Sequence, residues 1–161
     1  MSLLLNGAKT ITIAGTEMQC IEIYTGESYT LPLSFTYANT APINCTGWTL
    51  STAVKYYTVD TVTYPTNITY QVILGNLTPL NNIYTGTGLT ATFTTAASGL
   101  GYLYIPTDIA NGSNGSPSIS FTNTSANSTI AVITLGVART DTLSSKSDYN
   151  REPLGIIVRY Q

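Results

Sequence analysis

Tyr29-Thr-Leu31-Pro-Leu33-Ser-Phe35-Thr-Tyr37 puts a large apolar side chain at every second position. That is the period of a β-strand with one buried face. Thr30, Pro32, Ser34 and Thr36 then face the other way. Pro32 has no N–H to give to a ladder, so the strand is expected at an edge, or paired on one side at that point. Working outward, Trp48-Thr-Leu50-Ser-Thr52-Ala-Val54-Lys-Tyr56 repeats the alternation and carries the only tryptophan. Trp48, Leu31, Leu33 and Phe35 are therefore the expected core anchors, with Trp48 set between two sheets.

The same reading extends along the chain. Lys9–Ile13, Met18–Tyr24, Thr69–Leu74, Leu89–Thr94, Gly101–Pro106, Ser118–Thr122, Ile130–Ala138 and Leu154–Tyr160 are rich in Thr, Tyr, Val and Ile and bounded by turn residues. No stretch sustains a helical period; one turn at most is expected at Thr107-Asp-Ile-Ala. The fold class is all-β: a single sandwich, immunoglobulin-like or jelly-roll-like, with a barrel as the alternative. Residues 1–8 precede the first expected strand and read as an N-terminal arm, and residues 9–161 as one β-sandwich domain. Two long loops are expected, Asn111–Pro117 and Arg139–Pro153.

Composition narrows the chemistry. Of 161 residues only 14 are charged (six Lys or Arg, eight Asp or Glu), and there is no histidine. That is 9%, where an average soluble domain carries about 25%. Instead there are 29 Thr, 14 Ser, 12 Asn and 12 Tyr. Without histidine, a Ser-His-Asp or Cys-His nucleophile and any His-containing zinc site are excluded. Scattered basic residues and a net charge of −2 give no drive toward nucleic acid. No apolar run is long enough to span a bilayer as a helix, so no membrane contact is expected. Cys20 and Cys45 fit no metal or redox spacing; they are expected as two reduced, half-buried thiols, with a disulfide as the alternative. The N-x-S/T triplets follow from composition. Met1-Ser-Leu-Leu-Leu-Asn-Gly has no basic segment before its apolar run, so cytoplasmic synthesis is expected.

No catalytic residue, cofactor site or metal site is expected. Asp141, Asp148, Asn150 and Glu152 offer hard oxygen ligands, but Lys146 and Arg151 stand among them, and the regular spacing of a calcium loop is missing. A solvated loop or a contact surface with paired charges is the expectation there. Glu22 and Glu27 flank the turn at Tyr24-Thr25-Gly26 and could meet across a hairpin, as acids do in any β protein. Tyr56-Tyr57, Tyr64, Tyr70, Tyr84 and Tyr102-x-Tyr104 could line a sugar-binding surface, although tyrosine in strands more often packs across the sheet or fills protein interfaces. A surface this poor in charge suits permanent burial in an assembly, because interface centres are depleted in Lys, Glu and Asp. The expected contact residues are Leu3, Leu4 and Leu5 of the arm, Arg139, Arg151 and Arg159 as anchors, and Asp148 and Glu152 as acceptors from a symmetry mate. A homo-oligomer is expected.

The order of several short motifs resembles a family. Ile21-Glu-Ile-Tyr-Thr-Gly-Glu27 leads into Tyr29–Tyr37, and Asn44-Cys-Thr-Gly-Trp48-Thr-Leu50 follows. Gly101-Tyr-Leu-Tyr-Ile-Pro106 comes later, and Leu154-Gly-Ile-Ile-Val-Arg-Tyr160 closes the series. Together these resemble the N-terminal immunoglobulin-like domain of baseplate upper proteins and related tail-fibre attachment domains of tailed bacteriophages. The turn at Thr25-Gly26-Glu27 lacks the arginine usual in that family, and the segment from Tyr57 to Leu89 is longer than the family's. The resemblance implies a virion structural protein, a connector in the tail, baseplate or neck-fibre region whose partners are other virion proteins. It carries over no catalytic residue. A capsid decoration protein and a carbohydrate-binding adhesin are the alternatives.

Overall fold

The structure, a computed structural model, describes residues 2–5, 8–13, 15–24, 26–38, 40–59, 72–73, 77–79, 81, 84–111, 128–140 and 147–159. Eleven strands are seen: β1 (Ser2–Leu5), β2 (Lys9–Ile13), β3 (Thr16–Tyr24), β4 (Tyr29–Thr36), β5 (Trp48–Val59), β6 (Val72–Ile73), β7 (Leu77–Pro79), β8 (Thr90–Thr95), β9 (Leu100–Ile105), β10 (Ser128–Thr140) and β11 (Ser147–Arg159). A short helix, α1 (Thr107–Asn111), follows Pro106, at the place the sequence suggests, and a 3-10 turn at Ala96–Ser98 joins β8 to β9. The expected strand at Ser118–Thr122 and the loop beyond Asn111 lie outside the described residues.

The strands form two sheets, β1-β4-β9-β8 and β6-β2-β3-β11-β10-β5-β7. Between them lies one apolar core. The four-stranded sheet contributes Leu31, Leu33, Phe35, Leu103 and Ile105; the seven-stranded sheet contributes Ile21, Ile23, Ile133, Leu154 and Ile156. Ile43 and Cys45, from the β4–β5 connection, close one end, and Ile109 of α1 closes the other. This is an all-β sandwich. Its small sheet stands as ABED against the GFC strands β11-β10-β5, which is immunoglobulin-like order rather than that of a jelly roll. The inter-sheet disulfide of antibody domains has no counterpart. Cys20 lies in β3 and Cys45 in the β4–β5 connection, and both are free thiols.

The alternation at Tyr29–Tyr37 holds through β4. Leu31, Leu33 and Phe35 are buried, while Tyr37, past the strand end, is 54% exposed. The Phe35 N–H donates to Gly99 O at 2.8 Å, and its carbonyl accepts from Ile43 N–H at 3.0 Å. Phe35 therefore spends both backbone groups on the β9 side. By the strand's alternation, Ser34 and Thr36 turn theirs toward β1, and so does the nitrogen of Pro32. Pairing with β1 stops at Leu33 while pairing with β9 continues through Pro32. The proline thus falls where β4 is paired on one side, and its missing N–H gives a physical reason for β1 to end.

Two expectations need correction. Residues 1–8 do not simply precede the first strand, because Ser2–Leu5 form β1, paired antiparallel with β4. Arg139–Pro153 is not one loop: Arg139 and Thr140 end β10, and Ser147 to Pro153 lie within β11, in register with β10 throughout. Residues 141–146 lie outside the described residues. Trp48 is half-buried at the start of β5, packed against the core from the side. Among the described residues the largest fully buried side chain is instead Phe35, 1% exposed.

Candidate interaction surface

The charges are segregated. β1, β4, β8 and β9, the whole small sheet, contain no Asp, Glu, Lys or Arg. All nine strand charges (Lys9, Glu17, Glu22, Lys55, Arg139, Asp148, Arg151, Glu152 and Arg159) stand in the seven-stranded sheet.

The small sheet turns Leu31, Leu33, Phe35, Leu103 and Ile105 to the core, so the residues between them form its outer face. Register sets these in rows. Tyr104 stands between Thr30 and Thr90, Tyr102 between Pro32 and Thr92, and Leu100 between Ser34 and Thr95. The flanking Thr30, Pro32, Thr90 and Thr92 are exposed, the two tyrosines are half-buried, and Leu100 is 44% exposed. A flat face of rings, methyls and hydroxyls with no ionic charge can be covered without desolvating an ion, whose burial costs several kcal/mol. The tyrosine rings offer large area with few rotatable bonds.

The outer face of the large sheet differs. β3 buries Ile21 and Ile23 in the core, yet Met18 and Cys20, of opposite phase, are also buried. Cys20 belongs to a row that runs from Lys9 through Cys20, Gly155 and Val132 to Lys55. An apolar strip with an exposed lysine at each end is the result. Burial, then the carboxylate of Glu22, pushes the Cys20 thiol up to about 12; burial pushes Cys45 up to about 11. Neither thiol ionises at neutral pH, and both are fully buried rather than half-buried as expected.

The sequence-predicted contact residues do not converge on one patch. Arg139 is in register with Asp148 on one side and Trp48 on the other, so it and its cross-strand acid share the end of the β10–β11 pair. Arg151 faces Gly136 and Glu152 faces Leu135. Arg159 is at the opposite end of the sheet, beside Tyr24. Asp148 and Glu152 are four residues apart on one extended strand, roughly 13 Å, too far to share one small cation. Leu3, Leu4 and Leu5 lie in the other sheet, at the edge strand β1.

Two polar clusters outside these predictions hold the connections. The Tyr29 hydroxyl donates to Glu27 Oε2 at 2.7 Å, beside the turn in which Glu27 N–H donates to Tyr24 O at 3.1 Å. That hydrogen bond, then burial, then the charge of Glu27 with Tyr24 and Glu22 beyond it, push the Tyr29 phenol up to about 12. Glu22 and Glu27 do flank a turn, but it carries the chain from one sheet to the other and is not a hairpin. The Tyr84 hydroxyl bonds both Asp108 oxygens at 3.0 Å, joining the β7–β8 connection to α1. Gly86 sits so close to this pair that a Cβ there would overlap the phenol. Tyr84 is thus taken up in structure, and Tyr102 and Tyr104 lie apart from it on the outer face. Tyr56 and Tyr57 are in the other sheet, while Tyr64 and Tyr70 lie outside the described residues. The described tyrosines do not form a single platform.

Charge segregation was the signal for the outer face. Residues 28–54 and 61–107 contain no charge, and they supply β4, β8 and β9. The remaining face was beyond sequence reach, because it needs β4 to pair with β9, Ser34 with Leu100 and Tyr29 with Ile105. Among the described residues no cluster of three or more His, Cys, Asp or Glu occurs, and no helix is long and apolar enough to cross a membrane. No model of a known protein family matches this chain, and no curated protein matches it.

Proposed function

We propose that this chain is a non-enzymatic structural subunit that works through contacts with neighbouring proteins. In its finer form the reading is a virion protein of a tailed bacteriophage, an adaptor or connector in the tail, baseplate or neck-fibre region. The observation that carries the contact reading is the small sheet, which is uncharged in all four strands and turns tyrosine, threonine and Leu100 outward. The short motifs that resemble baseplate and fibre-attachment domains, now seen on an immunoglobulin-like strand order, support the phage reading.

Thr30→Lys with Thr92→Lys tests it. Both residues are exposed on the outer face, so the isolated domain keeps its stability to within about 0.5 kcal/mol. Incorporation into particles, measured by quantitative immunoblot, falls at least about tenfold, because an unpaired charge must be buried at a neutral contact. Unchanged incorporation would overturn the reading. Density over capsid capsomers in particle images would move the protein from tail to capsid decoration. Specific retention on a glycan array that is lost with Tyr102→Ala would favour the adhesin alternative, the reading favoured by two tyrosines at alternate positions of one open face.

A further inference from the structure

We draw no further inference here: the strongest candidate, the uncharged outer face of the small sheet around Tyr102 and Tyr104, belongs to the contact surface already described, and nothing in the structure shows what covers it.

Discussion

The small sheet and the large sheet share one core but meet their surroundings in opposite ways. The small sheet has four strands, no charge, and a clean split between a buried face and an open hydroxyl-rich one. The large sheet carries every strand charge and, along β3, buries residues on both of its faces, Ile21 and Ile23 inward and Met18 and Cys20 outward. Low overall charge is therefore not an average property of this protein. On the contact reading proposed above, the small sheet makes the contact and the large sheet keeps the ionic face.

The comparison can be broken first in the core. Phe35 is 1% exposed and lies 5.4 Å, ring to ring, from Phe93, so the small sheet anchors the interior. Phe35→Ala should cost about 3–5 kcal/mol in urea unfolding. Trp48→Ala, at a half-buried rim position of the large sheet, should cost roughly 1.5–3 kcal/mol. A larger loss at Trp48 would show that the interior depends more on the large sheet's rim than on Phe35. A smaller effect is expected at the end of the sandwich. Gly99 has φ of 65°, and a Cβ there would lie 2.7 Å from the carbonyl oxygens of both Ile43 and Phe35. Gly99→Ala should destabilise by about 1–3 kcal/mol, and a neutral result would mean that the β4–β5 connection yields easily.

The smallest effect sharpens the boundary between the sheets. Tyr29 begins the small sheet and bonds Glu27 in the turn from the large one. Its phenol, ordinarily 10.0, is pushed up to about 12 by that bond first. Folding thus favours the protonated form. The contribution is fully present below pH 10 and is lost as pH rises from there toward 12. Tyr29→Phe should remove this part of the alkaline decline and leave the neutral-pH slope unchanged, as read by chemical denaturation across the range. An unaltered alkaline slope would show that the turn does not link the sheets through this pair.

Much of the fold was legible where local pattern and tertiary burial agree. β4 could be read from Tyr29–Tyr37 and β5 from Trp48 onward because a period of two is a local property that burial then uses. β2, β3, β8, β9 and the turn at Thr107 were legible for the same reason. The charged stretch from Arg139 was not, since charges and Asn150 interrupt its apolar pattern. What makes it a strand is register, with Arg139 opposite Asp148 and Val137 opposite Asn150, and register is invisible in either segment alone. β1 was missed because three consecutive leucines have no alternation; its strand character comes from β4, about thirty residues away. For the surface, the scarcity of charge was plain in the composition. Its segregation into one sheet became visible only when the uncharged segments proved to be neighbours.

The pairing of β3 with β11 has a consequence for how the molecule comes into being. The two strands run parallel, Ile21 beside Ile156, although more than a hundred residues separate them along the chain. As the polypeptide emerges from a ribosome, Ile21 and Ile23 are synthesised long before the strand that will flank them. β4 and β9 can meet earlier, but the large sheet closes only when β11 arrives. Folding of the large sheet thereby waits for the synthesis of β11, and non-local closure of this kind is slow. The interval leaves a long, nearly uncharged polypeptide with open edges, which is the state most prone to associate wrongly. The few charges of the late strands β10 and β11 enter during that final step, and they bring to the large sheet the ionic face that separates it from its neutral partner.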